Sequence, residues 1–426
     1  MKHAISLKLG IIAVLCLLLL IPATMIQSLI KEREHTSKSA AREVSSKWGG
    51  EQTLVGPIIS IPYKQSFRNG EGKLQSRKQY AHFLPEELQV NGTTSPQLLK
   101  RSIYKLVQYS SDLEFSGHFL RPDFSVWNIA DEDILWDEAS ISMSIPDFKG
   151  IKSQLILQSG EQSLALNPTD GLASPHANSL SARLALNRAG QIPFSVKLKL
   201  NGSESLQFVP IGKTTRVHLT GSWPSPVFDG NFLPDSRQVS AAGFEAQWQV
   251  LHLNRNFPQQ WINRDFQFKS SAFGVWFRQP VEHYFMSHRA AKYALMFIAL
   301  SFVVFFFVEV IHKKRLHPIQ YLLIGFSICL FYMLLLSLSE QIGFGWAYLL
   351  AATGTIGLIT GYTRAVMGGV RIPALIAGLL IGLYSYLYGI LQLEDYALLL
   401  GSIGLFVIMA FLMYFSRKVN WYQQIE

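Results

Sequence analysis

The chain has 426 residues, of which 49% are hydrophobic and only 16% are charged, and its formal net charge is +9. This composition, together with a positive mean hydropathy of +0.20, excludes an ordinary soluble protein and indicates a membrane protein.

Six apolar stretches reach the length of about 20 residues that a helix needs to cross the hydrocarbon core. They cover residues 9–30, 292–311, 319–338, 343–363, 370–391 and 397–415. The predicted fold class is therefore a membrane protein with six transmembrane α-helices, one N-terminal and five C-terminal, and a large mainly-β exported domain. The predicted organisation is an N-terminal signal anchor (1–30), a helical stalk (31–48), an exported β-rich domain (49–291), a five-helix bundle (292–415) and a cytoplasmic tail (416–426).

The N-terminal stretch is interpreted as an uncleaved signal anchor rather than a signal peptide. No small-x-small cleavage site follows the apolar run, which reaches full spanning length. Cys16 precedes four leucines, so it is not a lipoprotein site. The other cysteine, Cys329, also falls in a membrane helix, which leaves the exported domain without a disulfide.

The exported segment opens with KEREHTSKSAAREVSSKW (31–48), whose helix formers predict that the first membrane helix continues as a solvated stalk. Gly49 and Gly50 are expected to end this helix.

Hydrophobic residues then alternate with a period of two, which predicts strands. The clearest run is Phe194, Val196, Leu198 and Leu200, followed after a turn by Leu206 and Phe208. Asn201-Gly202 predicts a β-hairpin turn within this run, and residues 68–73 predict another. The pattern favours a mainly antiparallel sandwich or stacked sheets, and the only helix expected in the domain covers residues 97–109.

The orientation follows from lysine and arginine in the short loops, which concentrate on the cytoplasmic side. With the N-terminus inside, the cytoplasmic pieces contain Lys2, Lys8, Lys313, Lys314, Arg315, Arg364, Arg371, Arg417 and Lys418. The predicted outer loops, 337–345 and 391–397, contain neither lysine nor arginine. Both termini are thus expected in the cytoplasm and the large domain on the exported side.

The stretch PVEHYFMSHRAAKY (280–293) combines histidines and charges just before an apolar helix. His283 and His288 would lie about 140° apart on a helix, which is not metal-ligand spacing. The charged residues of the stretch are Glu282, Arg289 and Lys292. Arg289 and Lys292 are expected to face lipid phosphates, so the stretch is interpreted as a joint between the exported domain and the bundle.

Enzyme motifs are weak in this sequence. GKTT (212–215) lacks the preceding glycine of a phosphate loop and is interpreted as a strand-edge turn. Neither a GxSxG elbow nor an HExxH zinc pair occurs. The sequence predicts no enzyme activity, no cofactor and no metal site.

Polar residues in the membrane helices are functional candidates because they are costly to bury there. Glu309 is expected to pair with Lys313 or to join Gln320 in a polar cluster. Glu340 and Gln392 are expected at the outer rim, near water.

Two further patterns concern packing in the membrane. Glycines spaced for close helix packing are Gly357 and Gly361, and Gly378 and Gly382. Tyr384 and Tyr388 are expected in an interfacial aromatic belt.

Six stretches spread over most of the chain resemble the CreD family of bacterial inner-membrane proteins. They are WGGEQTLVGPIISIPY (48–63), LTGSWPSPVFDGNFLPDSR (219–237), GFEAQWQVLHLNRNFPQ (243–259), PVEHYFMSHRAAKYALMFI (280–298), HPIQYLLIGFSICLFYMLLLSLSEQIGF (317–344) and LYSYLYGILQLEDYALLLGS (383–402). The resemblance implies a role in cell-envelope integrity and in responses to cell-wall stress and some colicins, without a known reaction.

The leading hypothesis is an inner-membrane protein that supports envelope integrity, whose periplasmic domain senses or binds an envelope component and is coupled to the bundle. The alternatives are a transporter or channel that works through the bundle, and a membrane-anchored periplasmic hydrolase. The expected partners are the lipid bilayer and a cell-wall, lipid or protein component of the envelope. No nucleic-acid partner is expected, and the oligomeric state is left open.

Overall fold

The computed structural model describes residues 4–68, 74–101, 104–168, 178–186, 190–264, 266–277, 283–312, 316–393 and 396–417. The chain divides into two compact units, each with its own hydrophobic core. The membrane unit comprises Met1–Lys38 and Val281–Glu426, and the β unit comprises Ser39–Pro280.

Seven helices are present in the described residues, and six of them are long and apolar. They are α1 (Ala4–Trp48), α2 (His283–Lys292), α3 (Ala294–His312), α4 (Pro318–Ile342), α5 (Phe344–Met367), α6 (Arg371–Gln392) and α7 (Ala397–Ser416). Helices α1, α3, α4, α5 and α6 are long and apolar enough to cross a membrane, and α7 has an apolar run at Leu399–Phe411. The predicted fold class, six membrane helices and a large mainly-β domain, is confirmed.

Two boundaries differ from the sequence prediction. The predicted outer loop 337–345 is helical except at Gly343, whose φ of 82° separates α4 from α5. The joint contains a helix of its own, α2, which ends directly before α3 begins. Glu340 and Arg289 are therefore held on helices.

The predicted tyrosine belt is wrong, because Tyr384 is in the core of the membrane unit. Its side chain is buried and its ring contacts Phe297 and Phe331, with centroids 5.6 and 4.7 Å away. The Tyr348 hydroxyl donates to the Tyr384 carbonyl at 2.7 Å, and the ring of Tyr388 lies 5.0 Å from that of Tyr348. These tyrosines pack helices together instead of facing the interface.

The predicted close-packing glycines are also wrong for contacts within the chain. A Cβ added at any of the four, Gly357, Gly361, Gly378 or Gly382, would meet nothing within 4 Å. Close approaches occur at other glycines. A Cβ at Gly404 of α7 would lie 1.8 Å from the Tyr386 hydroxyl of α6, and one at Gly325 of α4 would lie 2.1 Å from Cδ1 of Leu19 on α1. Gly325 thus lets α1 pack tightly against α4.

The β unit contains seventeen strands in its described residues. They are β1 (Gln52–Arg68), β2 (Leu74–Phe83), β3 (Glu87–Arg101), β4 (Tyr104–Phe119), β5 (Ser140–Ser144), β6 (Ile156–Ser159), β7 (Gln162–Ala165), β8 (Asn167–Pro168), β9 (Ser179–Arg183), β10 (Ile192–Ser203), β11 (Ser205–Phe208), β12 (Thr214–Gly221), β13 (Pro226–Gly230), β14 (Ser236–Ser240), β15 (Gly243–Leu251), β16 (Gln260–Ile262) and β17 (Phe273–Phe277).

The strands form two sheets. The nine-stranded sheet has the order β13-β17-β11-β1-β5-β9-β8, with β2 pairing β1 and β16 pairing β2. The eight-stranded sheet has the order β14-β15-β12-β3-β4-β10-β6-β7. All strand pairs in the described residues are antiparallel except β1 with β11 and β3 with β12. The sheets share one apolar core, in which Phe115 of β4 meets Phe208 of β11 with ring centroids 6.3 Å apart.

The helix predicted at 97–109 is wrong, because residues 97–101 form the end of β3 and residues 104–109 the start of β4. Leu98 pairs with Val107 and Leu99 with Leu106 in antiparallel register. Pairing between the two neighbouring strands of one antiparallel hairpin overrides the helical preference of leucine and lysine.

The hairpin predicted at Asn201-Gly202 is also wrong, since both residues continue β10 and the next strand, β11, belongs to the other sheet. Gly202 is needed for space, because a Cβ there would lie 2.2 Å from the Tyr109 hydroxyl. The turn predicted at 68–73 lies, beyond its first residue, outside the described residues, and the strands on either side pair antiparallel from Arg68 and Leu74.

Candidate functional site

The candidate site consists of the polar contacts that α1 makes. One cluster of these contacts lies near the start of α1. Glu309, in the last turn of α3, has a side chain only 8% exposed and forms an ion pair with Lys8 of α1. The Tyr321 hydroxyl donates to the other carboxylate oxygen of Glu309 at 3.0 Å. Lys8 also donates to the Leu316 carbonyl at 3.1 Å. This Lys8 cluster satisfies a buried carboxylate with one cation and one phenol.

The sequence analysis assigned Glu309 other partners. Lys313 lies outside the described residues. Gln320 instead caps its own helix, since its Oε1 accepts a hydrogen bond from the His317 amide at 3.0 Å. The pair with Lys8 was missed because it joins residues 301 positions apart.

A second cluster is formed near residue 33 of α1. Arg33 donates through Nε and Nη2 to the two carboxylate oxygens of Glu340, at 3.1 and 2.7 Å. Tyr284 of α2 donates its hydroxyl to the same carboxylate at 2.8 Å. The Glu340 side chain is 5% exposed, so it is buried in this Arg33 cluster and not in water at the rim as predicted. A bidentate arginine fixes the orientation of the carboxylate as well as its charge.

The Arg33 cluster continues along α2. Gln27 of α1 donates to the Ala291 carbonyl at 3.1 Å. Arg289 donates to the carbonyls of Ile390, Leu391 and Leu393 at 3.1 to 3.3 Å, which satisfies the C-terminal end of α6. Arg289 was predicted to face lipid phosphates, but its guanidinium instead caps the C-terminal end of α6.

The remaining sequence candidates are not brought into these clusters by any described contact. Lys292 and Gln392 are exposed at the ends of α2 and α6, and Glu282 lies outside the described residues.

Burial, together with the positive charges of Lys292 and Lys31, lowers the pKa of His288. No group of three histidine, cysteine or acidic side chains suited to a metal ion occurs in the part of the chain that the structure describes.

The C-terminal end of α1 makes a third set of contacts, all within the β unit. The Gly50 amide donates to Oδ2 of Asp147 at 3.0 Å, and Lys149 donates to the Ser46 carbonyl at 2.9 Å. Ser203 donates its hydroxyl to the Gly49 carbonyl at 2.8 Å. Gly49 is required at this point, because its φ of 142° and the Asn201 carbonyl, 2.6 Å from an added Cβ, leave no room for a side chain.

These contacts define what the arrangement can do. Each buried glutamate already has a cation and a hydroxyl donor, so each cluster holds helices in position. Helix α1 is bound to α3 and α4 through its first 38 residues and to the β unit through Ser46–Gly50. Sequence reasoning did not identify Lys8, Arg33, Tyr284 and Tyr321 as site residues. The signal that the sequence did contain was a single charge of opposite sign, Lys8 or Arg33, near one end of the first apolar helix.

Comparisons with known proteins agree with this architecture. A family model described as "Inner membrane protein CreD" matches residues 4–422. The protein named "Inner membrane protein CreD" in Escherichia coli (strain K12) is 34% identical over 425 residues, which cover 95% of this chain and 91% of that relative. The chain therefore belongs to the CreD family and is a multi-pass inner-membrane protein.

Proposed function

We propose that the protein supports cell-envelope integrity and tolerance of cell-wall stress without catalysing a reaction. In this proposal the β unit lies in the periplasm, where it senses or binds an envelope component. A change in the β unit is transmitted to the membrane unit through α1 and through the connection before α2. Both termini are cytoplasmic.

The observation that carries the proposal is the continuity of α1, a single helix from Ala4 to Trp48 with specific contacts in both units. The Lys8 and Arg33 clusters hold it within the membrane unit, and the contacts of Ser46–Gly50 hold it within the β unit. The chain passes between the units at two places only, 38/39 and 280/281. A continuous helix with fixed ends is suited to transmitting a change of position.

The two ion pairs support the alternating directions of the helices, and the loop charges support the cytoplasmic side. Lys8 with Glu309 brings the start of α1 to the end of α3, and Arg33 with Glu340 brings a later part of α1 to the end of α4. Alkaline phosphatase fusions test the orientation directly. We expect activity after residues 150, 343 and 394 and none after 315, 367 and 424, and an active fusion after 315 would overturn the topology.

Coupling through α1 is tested by changing its stiffness without changing its length. Replacing residues 39–42 with four glycines costs about 1 kcal/mol of helix stability per residue relative to four alanines. Cells that lack the native protein receive either variant and are challenged with a cell-wall-targeting antibiotic. We expect the alanine variant to restore survival and the glycine variant to fail, at equal abundance and membrane insertion.

Equal survival with both variants would contradict coupling through α1. Failure of both, at normal abundance, would show that the identity of residues 39–42 matters and not their helicity, which also contradicts the proposal.

A further inference from the structure

A polar cavity of about 550 Å³ opens on the nine-stranded sheet of the β unit. Its walls come from the β1–β2 ribbon, from the residues before β5, and from β7 and β9. The lining side chains that carry charge or hydrogen-bonding groups are Lys78, Tyr80, Glu138, Ser140, Ser163, Asn167, Ser181 and Arg183. A cavity with so many polar groups is unsuited to an acyl chain and suited to a ligand with many hydroxyls.

The wall formed by β7 is fixed to the chain that follows β9. The side-chain amide of Gln162 donates to the Ala185 carbonyl at 2.7 Å and accepts from the Ala185 amide at 3.2 Å. Gln158 donates to the Ser163 hydroxyl at 3.1 Å. Side-chain hydrogen bonds therefore fix the β7 wall of the cavity to the chain after β9.

The cavity is positively charged. Lys64 and Lys78 are directly opposite each other in the β1–β2 register, an arrangement of like charges that destabilises a strand pair. Glu138 is the acidic side chain that lines the cavity, and it forms an ion pair with Lys78. The guanidinium of Arg183 and the ammonium of Lys64 have no ion-pair or hydrogen-bond partner among the described residues.

The electrostatics of Glu138 agree with this excess of cations. The hydrogen bond from Lys78 lowers the pKa of the Glu138 carboxyl. The charges of Arg183 and Lys64 act in the same direction. Glu138 is therefore ionised and neutralises one of three nearby cations.

From this geometry we infer that the cavity binds a saccharide that carries a carboxylate. Arg183 pairs with the carboxylate through its planar guanidinium, as arginine does elsewhere. The hydroxyls of Ser140 and Ser181 and the amide of Asn167 contact the sugar hydroxyls, and the half-buried Tyr80 ring packs against the apolar face of a pyranose. The inference deepens the proposed function, because it names the ligand class of the periplasmic unit and rests on that location.

The test uses the purified full chain in lipid nanodiscs and isothermal titration calorimetry. The probes are the disaccharide of N-acetylglucosamine and N-acetylmuramic acid, the neutral disaccharide N,N′-diacetylchitobiose, and inorganic phosphate. We expect the acidic disaccharide to bind at least tenfold more tightly than either of the others. Phosphate binding as tight as the acidic disaccharide would reduce the site to an anion site, and equal binding of the neutral sugar would remove the role of the carboxylate.

Two variants connect the binding to this cavity. Arg183→Gln is expected to weaken acidic-disaccharide binding about tenfold or more, because a charge-assisted contact is lost. Arg264→Gln removes the same charge from an exposed position elsewhere in the β unit and is expected to bind normally. Ser181→Leu fills the cavity floor at unchanged net charge and is expected to abolish binding.

Equal affinities of Arg183→Gln and Arg264→Gln would overturn the inference, as would a complete lack of binding to the unaltered protein. The proposed function is tested separately by the glycine and alanine variants of residues 39–42. If those two variants still differ in survival while the acidic disaccharide does not bind, the cavity assignment fails and the coupling proposal stands.

Discussion

The Lys8 and Arg33 clusters use the same three components with different geometry. In each, a cation from α1 and a tyrosine hydroxyl bind one buried glutamate of a later helix. Lysine acts as a point charge, whereas arginine makes two oriented hydrogen bonds. The Lys8 cluster thus anchors α1 by charge, and the Arg33 cluster also fixes its direction.

The surroundings of the clusters differ as well. Near Arg33, the neighbouring helix α2 adds the hydrogen bond from Gln27 to Ala291 and the arginine that caps α6. The Lys8 cluster adds one lysine-to-carbonyl contact at Leu316. More of the bundle therefore depends on the Arg33 cluster, and the largest effects of substitution are expected there.

Removing the guanidinium of Arg33 is the strongest test of whether the bundle depends more on the Arg33 cluster than on the Lys8 cluster. Arg33→Ala leaves Glu340 buried with one phenol donor, and we expect a loss of about 2 to 4 kcal/mol, moderated by the partial exposure of Arg33. Arg33→Lys keeps the charge but not the two-pronged contact and is expected to lose about half as much. Unfolding of the full chain in mixed micelles, followed by circular dichroism against increasing SDS, measures both.

Arg42→Ala, at an exposed position of the same helix, is the matched control and is expected to change stability little. An Arg33→Ala variant as stable as this control would show that the cluster does not hold the helices together.

The Lys8 pair is expected to contribute less. A double-mutant cycle with Lys8→Ala and Glu309→Gln should give a coupling energy of about 1 to 3 kcal/mol. The exposed pair of Lys38 with Glu34 on the same helix is the comparison, and it should give about 0.3 to 0.5 kcal/mol. A coupling energy for Lys8 no larger than that of the exposed pair would remove its role as an anchor.

Glycine-to-alanine substitutions test the helix packing between the Lys8 and Arg33 clusters. Gly325→Ala forces a methyl group against Leu19 and Phe302, and we expect a loss of about 1 to 2 kcal/mol. Gly357→Ala meets nothing within 4 Å and should leave stability unchanged or raise it by up to about 1 kcal/mol. The same SDS titration compares them, and equal losses would contradict the packing of α1 on α4 through Gly325.

The smallest expected effect concerns pH, and it is specific to the region around α2. Because the folded-state pKa of His288 is lowered, the unfolded chain takes up the proton first as pH falls through about 6.5. Folded stability should therefore decrease below that pH and be recovered above it. His288→Gln should reduce the difference in melting temperature between pH 8 and pH 5.5, and an unchanged difference would contradict this prediction.

Hydropathy was sufficient to predict the membrane helices, because burial in lipid requires long apolar runs whatever the tertiary structure is. Alternation likewise predicted the β unit. The errors arose where tertiary contacts override local preference. Leu98 and Leu99 favour a helix in isolation, but they pair with β4. Gly202 resembles a turn residue, but it makes room for Tyr109.

The candidate site was predicted in part. Glu309, Glu340 and Arg289 were identified because a charge near a membrane helix is costly. Their partners were not identified, because depth and direction are set by helix packing. Glu340 was expected in a water-facing loop, and a one-residue break at Gly343 instead keeps it on a helix.

The sequence separation of the Arg33 and Glu340 pair also constrains biogenesis. The two residues are 307 positions apart, which corresponds to roughly 15 to 60 seconds of translation at typical rates. The N-terminal helix is therefore synthesised well before its carboxylate partner. We expect the pairing of Arg33 with Glu340, and with it the recruitment of α1 into the bundle, to be a late event of assembly.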